Sequence, residues 1–283
     1  MLMDKTVSHS HSSPAALALS PAHRLLLDAV AARRVADCSA LPESERQIEA
    51  LFLHALLSGD SELPALRCCP VRIRGARIVG PLRPISGTSA NDGRTVLRFS
   101  ACQFDSPVDF SGVDFMSLRL IDCQLPAFIG TSLSTRADLD FSGSTFSGVE
   151  AAEFELSDID AGAVFLSNAR IGGHLRMNST AHSRFIAHGT VCLDGARVEG
   201  EVSFDGALLD GKGGSSLCAR RLVVGGNLDL VATSEYRFEA LGEVALAAAS
   251  ITGDLSLDSA RLYAPEGRAL HCEDMRVGSV FIG

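Results

Sequence analysis

Residues 191–209 read VCLDGARVEGEVSFDGALL, and this stretch decides the fold. It opens with a phrase in which two aliphatic residues alternate with variable ones, followed after a short gap by a small residue and a third aliphatic residue. A glycine and a second pair of alternating aliphatic residues usually come next. The phrase occurs nine times, and its copies begin at Val71, Leu97, Leu118, Leu139, Val164, Val191, Leu217, Val244 and Leu270.

The copies recur at intervals of 21 to 27 residues, measured on the last aliphatic residue of each phrase. A repeat of this length is typical of a solenoid, in which each unit buries its apolar side only against its neighbours. Alternation with period two predicts strands rather than helices. We therefore expect an all-β fold, a single-stranded right-handed parallel β-helix (β-solenoid) of about nine coils with an N-terminal α-helical cap. Because the intervals vary, we do not expect four regular square faces.

The last aliphatic residues are interpreted as one inward column, with one member in each coil. The column comprises Ile78, Phe104, Leu125, Phe146, Ile171, Val198, Val224, Ile251 and Val277. In seven copies the residue two places earlier is Ala, Cys or Ser, which predicts an inward corner without room for a large side chain. Glycines stand two places after the column at 80, 148, 173, 200, 226 and 253. We expect a sharp turn or a close backbone approach there.

These phrases, above all GARVEGEVSFDGALL and the segment Ala137-Asp-Leu139-Asp-Phe141, resemble those of pentapeptide-repeat proteins or a looser relative of them. More specifically, the chain is similar to bacterial, largely actinobacterial proteins with repeated GARIxGxLxLxGARL phrases, which are often labelled membrane-associated oxidoreductases. The resemblance covers about residues 20–283. It implies the solenoid architecture and brings the oxidoreductase label, but the repeat itself carries no catalytic motif.

Composition narrows the class of partner and the compartment. The formal charge of −9 argues against direct binding of nucleic acid, because phosphates repel an acidic surface. The eight cysteines have no paired spacing, so they are interpreted as small buried residues of a protein in a reducing cytoplasm. No apolar run is long enough for a membrane span, and residues 1–19 lack the apolar core of a signal peptide.

Three regions follow along the chain: a disordered tail over 1–19, a helical N-terminal cap over 20–62 and the repeat domain over 63–283. Ser20 and Pro21 begin the first helix, which is expected to reach about Val35. The second is expected from about Pro42 to Gly59. The residues expected to bury these helices are Leu26 in the first and Ile48, Leu51, Phe52 and Leu56 in the second. Covering the first coil is the expected role, and a partner-docking helix pair is the alternative.

The chain ends with the apolar residues Val280, Phe281 and Ile282, followed by Gly283. Since nothing in the sequence resembles a second cap, two hypotheses remain open for this end. It stacks on another copy to give a tail-to-tail homodimer, or the chain is a fragment of a longer protein.

Alternation along the strands predicts an outward acidic face in the C-terminal half. Its members are Glu201, Asp205, Asp229, Asp254 and Asp258. The functional interpretation is a docking surface for a protein partner or a divalent-cation site. The alternative is a solvated surface that keeps the solenoid soluble. A second polar column precedes the inward one and comprises Arg77, Gln103, Gln124, Arg170, Arg197 and Arg276. It is interpreted as a solvated ladder, with an anion-recognition stripe as the alternative.

Motifs for enzymatic chemistry are missing from the sequence. The Gly-rich segment at 211–216 lacks the spacing of a phosphate loop, and neither a dinucleotide-binding fingerprint nor a nucleophile elbow occurs. We therefore predict no cofactor, no metal and no catalytic residues. The expected function is a non-catalytic scaffold or protein-interaction module. The alternatives are a nucleic-acid mimic that inhibits a DNA-binding enzyme, a β-helix enzyme of the lyase type or that of the oxidoreductase label, and a self-assembling filament.

Overall fold

The computed structural model describes residues 19–58, 69–83, 95–150, 161–265 and 267–283. Parallel strands make up most of this structure, so the predicted all-β parallel architecture is confirmed. Two short α-helices precede the repeats, α1 at Pro21–Ala31 and α2 at Ala50–Ser58, with 3₁₀ turns at Cys38–Ala40 and Glu43–Glu45. The predicted disordered tail lies outside the described residues, except for its last position.

The strands form four parallel ladders, which follow one another around each coil. The first ladder contains Ala36–Asp37, Val71–Arg74, Val96–Ser100, Ser117–Ile121, Leu139–Asp140, Leu175–Arg176, Val202–Ser203, Leu228–Asp229 and the second halves of Ser250–Ser256 and Arg276–Phe281. The second contains Gln47–Glu49, Arg77–Val79, Gln103–Phe104, Gln124–Leu125, Thr145–Phe146, Ile186–His188, the first halves of Leu208–Cys218 and Glu239–Ala245, and Arg261–Tyr263.

The other two ladders complete the coil. The third contains Val108–Asp109, Phe128–Ile129, Ala161–Phe165, Thr190–Cys192, the second halves of Leu208–Cys218 and Glu239–Ala245, and Leu270–His271. The fourth contains Asp114–Phe115, Ser134–Thr135, Arg170–Ile171, Arg197–Val198, Val223–Val224 and the first halves of Ser250–Ser256 and Arg276–Phe281. Val149–Glu150 adds an antiparallel strand beside Ala161–Phe165. The described strands thus form four ladders although the repeat length varies.

The interpretation of the nine aliphatic residues as one column was wrong. Ile78 is the partner of Phe104, and Leu125 of Phe146, in the second ladder. From Ile171 onward the same position of the phrase lies in the fourth ladder, where Ile171 pairs with Val198. The first four copies thus cross the corner from the first to the second ladder, and the last five cross the opposite corner. Both corners need the same strand–turn–strand pattern, so the repeat cannot distinguish them.

Small residues at these corners are buried as predicted. Ala76, Cys102, Cys123, Ser144, Ala169, Ala196 and Ala249 are almost fully enclosed. Large side chains fill the centre of the coils, where Phe128, Phe141 and Phe146 make edge contacts with centroid separations of 4.8 and 5.8 Å. Gly80 adopts a φ of +88°, whereas a Cβ on Gly200 would lie 2.8 Å from the carbonyl oxygen of Gly173. A turn with positive φ and a close backbone approach, the two reasons predicted for the corner glycines, thus both occur, but at different corners.

The N-terminal helices differ from the prediction. Ser20 caps α1 by accepting the backbone N–H of His23, but the helix ends at Ala31 rather than near Val35. The helix expected over 42–59 begins only at Ala50, because Ile48 lies in a strand and pairs with Ile78. Among the described residues, no helix has the length and apolar character needed to cross a membrane.

The strand Gln47–Glu49 changes which side of α2 is buried. Leu51, expected in the buried stripe, is 81% exposed, whereas Leu53 is 0% exposed. Of the other residues expected to bury the helical unit, Leu26, Ile48 and Leu56 are buried, and Phe52 is half-buried with its ring against that of His23. The expectation for Leu51 was therefore wrong, because it assumed that one continuous helix carried both Ile48 and Leu51.

Candidate functional site

The outward side chains of the first ladder form a continuous surface, which we call the first face. Its central row is set by strand register and consists, coil by coil, of Arg72, Arg98, Arg119, Asp140, Arg176, Ser203, Asp229, Ser256 and Phe281. Their neighbours in the same coils lie beside this row. Because parallel ladders keep each coil in register with the next, neighbouring outward side chains are about 4.8 Å apart.

The predicted acidic residues lie together on this face. Glu201 and Asp205 belong to one coil, Asp229 to the next, and Asp254 and Asp258 to the one after. Side-chain amides tie these coils together, since the Oδ1 of Asn227 accepts the backbone N–H of Asp254 at 3.0 Å. Asn178 does the same for the N–H of Asp205. The geometry places the five carboxylates as predicted, and their role in binding stays a prediction.

Mutual repulsion marks the acidic half of the first face. Burial raises the pKa of Asp229, and the charges of Asp205, Glu201 and Asp254 raise it further. Burial also raises the pKa of Asp205, with Glu201 adding to the effect, and its Oδ1 is buried without a hydrogen-bond partner in the described structure. Such a group of carboxylates favours a cationic partner, which would relieve the repulsion.

Among residues 19–58, 69–83, 95–150, 161–265 and 267–283, no group of three or more His, Cys, Asp or Glu side chains is arranged to hold a metal ion. The carboxylates are instead spread along three coils, an arrangement that suits an extended positively charged surface.

The N-terminal half of the first face is basic, which our sequence reasoning missed. Arg72, Arg98 and Arg119 are stacked in three successive coils, with Arg74 beside Arg72. Arg72, Arg74 and Arg98 border a groove of about 340 Å³ that also contains Asp37 and Asp122. The signal was present in the sequence, because an arginine occupies the first variable position of the first three copies of the phrase.

Asp138 lies where the basic half meets the acidic half. Its carboxylate contacts the guanidinium groups of Arg176 at 2.6 Å and Arg119 at 3.4 Å, and accepts the backbone N–H of His174 at 3.0 Å. Burial acts to raise the pKa of Asp138, but the His174 N–H and the Arg176 side chain outweigh it and hold the pKa below its ordinary value. This network links three coils and fixes the two arginine side chains.

The second predicted polar column does not exist as one row. Arg77, Gln103 and Gln124 lie on the second ladder, whereas Arg170, Arg197 and Arg276 lie on the fourth. The reason is that the first four copies of the phrase cross from the first to the second ladder, whereas the last five cross from the third to the fourth. Arg77 forms an ion pair with Asp105 at 2.9 Å, so it belongs to a local surface contact rather than to a stripe.

A second groove of about 760 Å³ lies between the second and third ladders near the end of the chain. Asp210 and Glu243 line it together with Tyr263 and Arg268. Asp210 contacts His188 and Lys212, both at 3.2 Å, and Glu243 contacts Arg268 at 3.7 Å. Burial tends to raise the pKa of Asp210, but the Lys212 backbone N–H and the His188 and Lys212 side chains lower it overall. Both carboxylates therefore already have cationic partners.

The apolar residues at the end of the chain are exposed. Val280 is 46% exposed, Phe281 51% and Ile282 76%. The strand Arg276–Phe281 pairs on one side with Ser250–Ser256, and its other edge has no strand partner among the described residues.

Comparisons with known proteins give no relatives from which a site could be transferred. No protein-family model matches the chain, and neither the curated proteins nor the solved structures contain a match. The candidate site therefore depends on its own geometry, and the first face is its best-developed feature.

Proposed function

We propose that the chain is a non-catalytic β-solenoid scaffold that docks a protein partner through the acidic half of its first face. The observation that carries this proposal is the group of Glu201, Asp229 and Asp254 on three successive coils, with the pKa of Asp229 raised by burial and by its acidic neighbours. Ladders of backbone hydrogen bonds hold these charges at fixed spacing. A rigid charged surface of this kind gives specificity and fast association with a partner of opposite charge.

The finer description of the solenoid belongs to the same proposal. We propose a right-handed, single-stranded β-helix of about nine coils, since crossovers between parallel strands are right-handed in almost all proteins. We also propose that α1 and α2 cap the first coil. In support, Leu26 and Leu53 belong to the same buried core as Ile73 and Ile78 of the first repeat.

We make three further proposals. They are the relationship to pentapeptide-repeat proteins, the cytoplasmic location and the tail-to-tail contact through Val280, Phe281 and Ile282. The exposure of these three residues favours the contact. A nucleic-acid mimic is not favoured, because Arg72, Arg98 and Arg119 interrupt the negative surface that such a mimic needs along its whole length.

The experiment is a titration of the purified protein with a fluorescent lysine-rich peptide, followed by anisotropy at low salt. Replacing Glu201, Asp229 and Asp254 together by Lys should weaken binding by at least about ten-fold, because attraction becomes repulsion. The matched control replaces the exposed Glu43, Glu45 and Asp114, which lie away from the first face, by Lys. The proposal fails if both triple variants lose affinity equally, or if neither does.

A further inference from the structure

The charges of the first face follow one another in a definite order. From the N-terminal to the C-terminal end, successive coils carry Arg72 with Arg74, then Arg98, then Arg119, then Asp138 with Asp140, then His174 with Arg176, then Glu201 with Asp205, then Asp229, then Asp254 with Asp258. Two further carboxylates border the basic coils, Asp37 beside Arg74 and Asp122 at the end of the strand of Arg119. Read from either end, a basic coil is therefore matched by an acidic one at the same distance from the other end.

This order makes the first face complementary to itself when it is reversed. A two-fold axis that lies in the plane of the contact, at right angles to the solenoid axis, and passes between the coils of Asp140 and Arg176 sets the coil of Arg72 against that of Asp254. The same operation sets Arg98 against Asp229. It sets the coil of Arg119 against that of Glu201 and Asp205, and the coil of Asp140 against that of Arg176. We propose that the partner docked by the first face is a second copy of this chain, in antiparallel orientation. This inference rests on the proposed function and names its partner.

The spacing of the charges favours this occupant over an unrelated basic peptide. Arg72, Arg98 and Arg119 repeat at one ladder step, about 4.8 Å, and the coils that carry the opposing carboxylates Asp254, Asp229 and Glu201 are separated by the same step. An extended peptide repeats its side chains on one face at about 6.8 Å, twice the rise per residue. Its side chains therefore no longer align with the carboxylates of the face after two or three contacts. A second copy stays in step along the face, and two-fold symmetry makes every contact twice.

The outer pairs should contribute most to association. Arg119 and Arg176 already contact Asp138 within their own chain. In contrast, the described structure gives Arg72 no carboxylate partner, and the Arg98 Nε donates only to the hydroxyl of Ser100. Asp229 also gains from a cation opposite it, because its pKa is raised in the isolated chain by burial and by neighbouring carboxylates.

The size of the face predicts the strength of the contact. Seven ladder steps separate Arg72 from Ser256, which gives a length of about 35 Å, and a five-residue strand adds a width of roughly 16 Å. The contact would then cover roughly 600 Å² on each copy, below the roughly 800 Å² of a standard specific interface. We therefore expect a weak dimer whose dissociation constant rises steeply with salt, because exposed charges are screened.

The test is sedimentation velocity of the whole chain at about 0.05 M and about 0.5 M salt, where the Debye length falls from roughly 14 to roughly 4 Å. One variant combines Arg72→Glu and Arg98→Glu, which makes the first face acidic throughout its outer coils. The other combines Asp229→Arg and Asp254→Arg, which makes them basic. Each variant alone should dimerise at least ten-fold more weakly than wild type. An equimolar mixture should form a heterodimer, because all four outer contacts are then complementary.

The control variant combines Arg170→Glu and Arg197→Glu, two arginines stacked in the same way on the fourth ladder. It should dimerise like wild type, and circular dichroism should show all variants folded. The inference is overturned if wild type is a monomer at low salt. It is also overturned if the dimer persists in both first-face variants, which is the result expected of a tail-to-tail dimer. If wild type still binds the lysine-rich peptide through Glu201, Asp229 and Asp254 in that case, the proposed function stands and only self-docking fails.

Discussion

Asp138 and Arg176 are joined across one step of the first ladder by a hydrogen bond of 2.6 Å. The same carboxylate accepts the backbone N–H of His174, so it holds both the main chain and a side chain of the following coil. This contact lies at the boundary between the basic and acidic halves of the first face. It therefore connects the stacking of the coils with the order of charges on which the proposed binding depends.

Asp138→Asn should lower the free energy of unfolding by about 1 kcal/mol at neutral pH, because two ion pairs are lost while the amide oxygen can still accept the His174 N–H. Chemical denaturation measures the change. The control is Asp114→Asn, since the Asp114 side chain is exposed on the fourth ladder. Equal stability of wild type and Asp138→Asn would show that the network adds nothing to coil stacking.

The difference between wild type and Asp138→Asn should depend on pH in a definite direction. The folded-state pKa of Asp138 is lowered, so its stabilisation is present above the unfolded value of about 3.9 and is lost as the pH falls through the folded value. The two unfolding curves should therefore converge in acid. A difference that stays constant from neutral pH into acid would contradict the assigned ionic contacts.

Asp229→Asn should act in the opposite sense and stabilise the isolated chain by up to about 1 kcal/mol at neutral pH. Its folded-state pKa is raised by burial and by Asp205, Glu201 and Asp254, so ionisation costs stability as the pH rises from the unfolded value through the folded one. Below both values the gain should vanish. Thermal unfolding at several pH values measures this, and Asp229→Glu, which keeps the charge, should show no gain.

Gly225→Ala should destabilise the protein by about 2–3 kcal/mol, since a Cβ there would lie 2.1 Å from the Glu199 carbonyl oxygen of the preceding coil. This oxygen belongs to the backbone and cannot rotate away. Gly267→Ala is the control, because a Cβ at Gly267 meets no atom within 4 Å. Urea denaturation of both variants tests the close approach of the coils. A tolerated Gly225→Ala would mean that the coils lie farther apart at this corner.

Leu53→Ala should cost about 2–5 kcal/mol, whereas Leu51→Ala in the same helix should change stability by less than about 0.5 kcal/mol. Leu53 is fully buried and Leu51 is 81% exposed, although they are only two residues apart. Denaturant titration of the two variants tests how α2 packs. If Leu51→Ala were the more destabilising variant, the buried side of α2 would be the one predicted from the sequence.

The sequence predicted the corner residues well because they are local requirements. A buried corner accepts only a small side chain, and this holds for Ala76 as for Ala249, whichever ladders meet there. It failed at Ile48 and Leu51, because a strand of three residues at Gln47–Glu49 is decided by its partner Arg77–Val79 and not by its own pattern.

In the candidate site, too, local alternation was predictable from the sequence, whereas the pairing of strands across coils was not. Alternation within a strand was enough to put Glu201, Asp205 and Asp229 on one outward surface. Arg72 and Arg98 follow the same alternation, but their alignment with the acidic residues depends on which ladder each copy of the phrase occupies.

By itself, then, the sequence determined that the chain forms stacked parallel coils with small corners and an apolar interior, since these follow from residue size and from alternation within a few residues. Only the tertiary structure decided that the first four copies of the phrase and the last five cross opposite corners, because both corners accept the same residues. That choice depends on the length of chain between copies and on strand pairing across coils. It is also what places the arginines and the carboxylates on one face.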